Sequence, residues 1–108
     1  MSVLCAAAEI GDGQARGLVV GAGAERLDVV VVNSGGVLRG FVNRCPHRGT
    51  PLETFPDRFT DSAGLLVCST HGARFRPDDG LCVSGPCAGQ SLQPVVLELR
   101  DGILVLAG

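Results

Sequence analysis

The sequence predicts an all-β fold, a small antiparallel β sandwich or barrel. Three observations carry that expectation. Short β-branched runs recur along the chain, separated by Gly, Asp and Ser turn signals. Glycine supplies 16 of 108 residues and proline 6, a composition that favours turns and short strands over long helices. No window sustains the 3.6-residue apolar stripe of a substantial helix.

In chain order, residues 3–8 and 14–20 read as the first two strands. Gly21-Ala22-Gly23 then reads as a short turn; with no helix predicted after it, this glycine pair is not a dinucleotide-binding fingerprint. Residues 29–33 and 37–42 are rich in valine and joined by Ser34-Gly35-Gly36, the pattern of a hairpin. The stretch 50–64 holds Pro51, Pro56 and Asp57, shows no period and reads as a surface loop. Short strands are expected at 65–68, 73–76 and 81–83. At the end of the chain, 95–100 and 103–106 flank Asp101-Gly102, whose tolerance of positive φ predicts a tight hairpin turn.

Composition bounds the function. A chain of 108 residues is expected to form a single domain over 1–108 with one core and one site. Nine arginines, no lysine and eleven acids give a formal charge of −2. Without a basic stripe, and with only 4% aromatic residues, the chain lacks both the electrostatic footprint and the stacking platform of a nucleic-acid binder. No apolar run approaches the ~20 residues of a membrane span, and the run at 27–32 is interrupted by Asp28. The start lacks a basic segment and reaches Glu9 too soon for a secretory signal, so a cytoplasmic location is expected.

The chemistry flanks the 50–64 stretch. Cys45-Pro46-His47-Arg48-Gly49 and Cys68-Ser69-Thr70-His71-Gly72 present Cys-x-His and Cys-x-x-His, with 20 residues between His47 and Cys68. Two thiolates and two imidazoles could close a tetrahedral zinc site. Zinc knuckles and fingers, however, usually take a Cys-x₂₋₄-Cys pair from one turn. One Cys and one His on each loop suits two metal centres instead, each loop giving a sulfur to one iron and a nitrogen to the other.

These loops resemble those of the Rieske family, as do Thr50-Pro51-Leu52 after the first and Ala73-Arg74-Phe75 after the second. Ser84-Gly85-Pro86 is similar to the family's third loop, which packs over the cluster. The resemblance implies one [2Fe–2S] cluster per chain. Cys45 and Cys68 would bind the buried iron, and His47 and His71 the outer iron through Nδ1. It also implies a cluster-binding subdomain, about 44–88, inserted in the larger antiparallel β domain.

Around those ligands, Arg48, Gly49, Gly72, Gly85 and Pro86 are expected neighbours of the cluster. Gly49 and Gly72 are either turn glycines or residues that bring N–H groups toward the sulfurs. Arg48 and Arg74 either meet a partner's carboxylates and favour the reduced cluster or are solvated loop charges. The acids Glu53, Asp57, Asp61, Asp78 and Asp79 likewise form a docking rim or a solvated surface. Cys82 and Cys87 bracket Gly85-Pro86; a disulfide is one reading, and a reducing cytoplasm favours buried thiols. Cys5 reads as a core residue.

High-potential members of the family carry an extra cysteine in each ligand loop, where this chain has Thr50 and Thr70. They also carry a serine and a tyrosine that donate to cluster sulfurs; here Ala73 takes the serine position and the sequence has no tyrosine. A low-potential, ferredoxin-like centre is therefore implied. Rieske oxygenases further need an iron held by two histidines and a carboxylate, and both histidines of this sequence are committed to the cluster. The implied role is an electron carrier between a reductase and a terminal oxygenase; the sequence leaves the oligomeric state open, with a monomer favoured. An iron–sulfur redox-sensing module and the small subunit of a multi-component reductase are the alternatives.

Overall fold

The computed structural model describes residues 2–21, 23–44, 64–68, 72–85 and 88–107. Ten strands follow one another: β1 (Ser2–Ala6), β2 (Ala15–Val20), β3 (Leu27–Ser34), β4 (Val37–Val42), β5 (Leu66–Val67), β6 (Arg74–Phe75), β7 (Cys82–Ser84), β8 (Pro94–Val95), β9 (Leu97–Arg100) and β10 (Ile103–Leu106). They form three antiparallel sheets, ordered β1-β10-β9, β2-β3-β4-β8 and β5-β6-β7. The helical content among the described residues is two single 3₁₀ turns, Ala7–Glu9 and Gly23–Glu25.

Both predicted hairpins form, each on a two-residue turn. Gly35 and Gly36 have φ of 64° and 87°, and Asp101 and Gly102 have φ of 51° and 79°. Positive φ at both positions is the backbone of a type I′ turn, which matches the twist of the flanking strands. The expected first strand, 3–8, ends instead at Ala6. There the Glu9 carboxylate accepts from the Ala6 N–H at 2.9 Å, and Ala7 donates to the Gly102 carbonyl at 2.9 Å, folding 7–9 into a 3₁₀ turn.

The larger departure is at 95–100, which is two strands in two sheets. β8 pairs with β4 (Gly40 with Val95, Phe41 with Pro94), whereas β9 pairs with β10. The chain changes sheets at Val96, and Gly40 makes room for the crossing. A Cβ on Gly40 would stand 2.8 Å from Val95 Cγ2 and 3.2 Å from both Leu97 methyls. Pro94 is tolerated because β8 is the outer strand of its sheet.

β3 organises the core. Val29, Val30, Val31 and Val32 are all buried, as a strand covered on both faces requires. Val31 packs with Ile10 and Leu104, and half-buried Leu4, Cys5, Leu18, Leu38 and Leu97 surround them. Val30 and Val32 pack the other way, with Phe41, Leu66, Cys68, Ala73, Phe75, Cys82 and Leu92. The small third sheet therefore lies against one face of β3 and β4, and the β1-β10-β9 sheet against the other.

At the far end of the third sheet, the β6–β7 turn is seated on β4. Gly80 has φ of 75°, and a Cβ there would meet Phe41 Cε1 at 2.8 Å. Gly80 donates to the Arg76 carbonyl at 2.8 Å and accepts from Leu92 at 2.9 Å.

Candidate metal centre

Of the expected ligands, Cys68 lies within the described residues; Cys45, His47 and His71 lie outside them. So do Arg48, Gly49, Thr50, Thr70, Pro86 and Cys87, the acids Glu53, Asp57 and Asp61, and all but Gly64 of the expected loop at 50–64. What the structure positions is the neck of the second loop at Cys68 and Gly72, Gly85 beside Ala73, and the strand that leads to the first loop.

Cys68 follows β5 directly and is fully buried. Its position follows from strand alternation: Leu66 points into the core, Val67 is half-buried, and Cys68 points back into the core. The neck of the loop is closed by main-chain bonds to this one residue. The Cys68 N–H donates to the Ala73 carbonyl at 2.8 Å, and the Cys68 carbonyl accepts from the Gly72 N–H at 2.7 Å. Gly72 has φ of +73° and a Cβ on it would meet open space, so glycine is required here by backbone conformation alone.

Gly85 is constrained twice. Its φ is +99°, and a Cβ would fall 2.7 Å from Ala73 Cα and 3.2 Å from Ala73 N and Cβ. The third loop thus rests directly on the second, against a buried Ala73. Sequence reasoning placed both loops near the cluster without finding this contact. Its only sequence signal is a glycine beside a proline, which also marks an ordinary turn.

Cys82 anchors the stretch between. It is buried, its thiol donates to the Ser84 carbonyl at 3.2 Å, and its main chain bonds Gly89 and Gln90. β7 carries a bulge at Val83, since Arg74 pairs with Ser84 and Phe75 with Cys82. That bulge turns Ser84 to the outward face opposite Arg74, beside exposed Val83, while Cys82 stays on the core face opposite Phe75.

The first loop begins from the same core. Phe41 of β4 belongs to the same apolar core as Cys68, and beyond it the Asn43 N–H donates to the Asp28 carbonyl at 2.9 Å before the chain reaches Arg44. Two loops that each carry one thiol and one imidazole therefore have stems rooted in one apolar core.

The other described residues that the sequence singled out lie on the third sheet, its β6–β7 turn and β1. Asp78 and Asp79 sit on the β6–β7 turn, where Arg76 binds Asp79 in a fork and approaches Asp78 at 3.5 Å. The carboxyl of Asp79 is held below its ordinary range by the Arg76 hydrogen bond and then by the Leu81 N–H. These two acids brace the turn. Arg74 is exposed and shares the outward face of the third sheet with Val67 and Ser84. Cys5 packs against the core opposite; burial, then the nearby Glu9 charge, push its thiol up, against a smaller opposite effect of Arg16.

The profile of the Rieske [2Fe-2S] domain family matches residues 1–100. The chain belongs to the Rieske family. Solved Rieske structures share its fold. A chain in a complex of reduced oxygenase and oxidized ferredoxin of carbazole 1,9a-dioxygenase superposes with a TM-score of 0.76 at 25% identity. That match covers 98% of this chain and 91% of the other. The Sphingomonas yanoikuyae B1 ferredoxin gives 0.75 at 21%, covering 98% and 96%. The terminal oxygenase of carbazole 1,9a-dioxygenase from Novosphingobium sp. KA1 gives 0.73 at 20%, covering 96% of this chain and 28% of that one. Among curated proteins, none matches the sequence closely.

The described part of this Rieske centre suits a [2Fe–2S] cluster. A cysteine at the buried end of a strand, with both its main-chain groups engaged, presents sulfur from the dry side. The histidine three residues on belongs to the loop whose next residue, Gly72, is exposed. A thiol held on the buried side fits a cluster whose sulfur donors bind the inner iron.

Proposed function

We propose that this Rieske protein is a ferredoxin, carrying single electrons from a reductase to a terminal oxygenase. The observation that supports the reading is likeness to ferredoxins: the chain superposes over 98% of its length on the Sphingomonas yanoikuyae B1 ferredoxin and on a chain of the oxygenase–ferredoxin complex of carbazole 1,9a-dioxygenase. Its 108 residues contain two histidines, both in the ligand motifs, so they cannot also supply the two-histidine iron at which oxygenases activate oxygen. Among the described residues no helix is long and apolar enough to cross a membrane.

In this reading Cys45 and Cys68 hold the inner iron and His47 and His71 the outer one, within a subdomain of about 44–88 built on β5, β6 and β7. A [2Fe–2S] cluster supplies a one-electron couple, and replacing two thiolates by neutral imidazoles raises its potential above that of an all-cysteine cluster. The chain supplies a rigid seat. Buried Cys68 keeps water from the sulfur side, Gly72 and Ala73 hold the loop at its neck, and Gly85 braces Ala73 from the third loop.

Anaerobically purified protein is expected to be coloured, to hold two irons per chain, and to show a rhombic resonance after dithionite. With a flavin-dependent reductase and a Rieske oxygenase it is expected to support turnover that neither supports alone. Colourless protein that contains zinc would overturn the metal assignment; a loaded cluster that no reductase–oxygenase pair can use would overturn the carrier role.

A further inference from the structure

We propose that β9 is a self-association edge: it pairs antiparallel with β9 of a second copy of this chain, about a two-fold axis at Leu99. Among the described residues β9 is the outer strand of the β1-β10-β9 sheet. Its open side can be read from the hairpin. The two-residue turn at Asp101-Gly102 closes on Arg100 and Ile103, which exchange hydrogen bonds, and alternation then turns the backbone of Glu98 and Val96 toward β10 as well. The Ala107 N–H donating to the Val96 carbonyl at 3.0 Å fixes the same parity. The N–H and C=O groups of Leu97 and Leu99 therefore face away from β10.

The side chains carry a matching pattern. Leu99 is 61% exposed although it stands opposite Leu104, which is 2% exposed, so it overhangs the edge of the core. Glu98 and Arg100 share the other face and bond each other at 2.7 Å within one copy. Antiparallel pairing about Leu99 makes the two Leu99 residues a hydrogen-bonded pair, each donating and accepting. It also sets Glu98 of each copy opposite Arg100 of the other, in the positions where cross-strand side chains stand closest. The surface is self-complementary, as a two-fold contact requires. Centring instead on Glu98 or Arg100 would set like charges directly opposite each other across the axis.

Two copies joined this way share a continuous sheet, β1-β10-β9-β9-β10-β1. This sheet packs on the Val31 side of β3, whereas Cys68 packs with Val30 and Val32 on the other side, so the paired sheets lie away from Cys68. With four residues per strand the contact is small, and association is weak and concentration-dependent. The monomer expected from the sequence is then the dilute state.

Sedimentation velocity of the cluster-loaded protein over a concentration series tests the pairing. The weight-average sedimentation coefficient is expected to rise toward the dimer value. Glu98→Arg and Arg100→Glu each set like charges across the axis and are expected to leave monomer; the double reversal, Glu98→Arg with Arg100→Glu, restores opposite charges and regains association. Leu99→Lys is expected to abolish it. Melting followed by circular dichroism checks that each exposed-site variant keeps the fold. A wild type that stays monomeric throughout, association that survives both single reversals, or a folded double reversal that stays monomeric would each overturn the proposal.

Discussion

Cys68 owes its fixed position to hydrogen bonds of its own backbone, and that separates two effects of replacing it. Cys68→Ala leaves the neck bonds to Gly72 and Ala73 in place but removes the sulfur, so cluster incorporation is expected to fail while the apo fold survives. Losing one buried sulfur atom from a packed core costs the apo protein about 1 kcal/mol, to be read by urea unfolding alongside iron content. The two glycines near this loop give a sharper contrast. Gly72→Ala meets open space and pays only for its φ of +73°, about 1–2 kcal/mol. Gly85→Ala pays that and also drives a methyl to 2.7 Å from Ala73 Cα, adding about 1–3 kcal/mol and pushing the third loop off the second. Gly85→Ala is therefore expected to be the less stable variant and to change the spread of the cluster's resonance, with Gly72→Ala closer to wild type in melting. Equal losses in the two would mean that the Gly85–Ala73 contact carries no load.

The hairpins and the 3₁₀ corner show how local chemistry fixes the strands while leaving their partners open. Asp101-Gly102 and Gly35-Gly36 were readable because a type I′ turn needs two residues that accept positive φ, and few residue pairs do. The division at Val96 was not readable. Alternation over 95–100 reports that a strand is half-buried, and says nothing about which sheet it joins. The end of β1 at Ala6 was hidden likewise, since it depends on the Glu9 carboxylate reaching back to the Ala6 N–H and across to Arg16 at 3.0 Å. That corner makes a pH prediction. The Arg16 hydrogen bond, then the Ala6 N–H, hold the Glu9 carboxyl below its ordinary value. A carboxyl whose folded pKa is depressed contributes stability above its unfolded pKa and loses it as pH falls through the folded one. Glu9→Gln is thus expected to leave acid-range melting nearly unchanged and to lower the melting temperature slightly near neutrality. A decrement that persists unchanged at the lowest pH would show that the charge is not responsible.

Across the fold, the expected ligands stand out in the sequence because cluster chemistry restricts their types and spacing, whereas the packing around Cys68 arises between residues far apart in sequence. Ala73 and Gly85 touch because β6 and β7 pair across a bulge, and Phe41 receives Gly80 because the third sheet lies on β4. The redox potential depends on both kinds of feature. Hydrogen bonds to the sulfurs stabilise the reduced, more negative cluster and raise its potential. Ala73 has no hydroxyl to donate, and the sequence has no tyrosine to supply one from elsewhere. A midpoint near the low end of the Rieske range, roughly −150 mV, is therefore expected. Ala73→Ser tests the cause. Ala73 is buried, and its backbone already faces Gly85 closely, so a serine hydroxyl cannot reach solvent and must turn away from the third loop to find an acceptor. If it finds a cluster sulfur, the midpoint rises; if it bonds only backbone, the midpoint stays and the variant merely loses stability. Titration of both proteins, followed by the visible spectrum of the cluster, separates these outcomes. A wild-type midpoint well above zero would show that donors other than residue 73 and tyrosine set the potential.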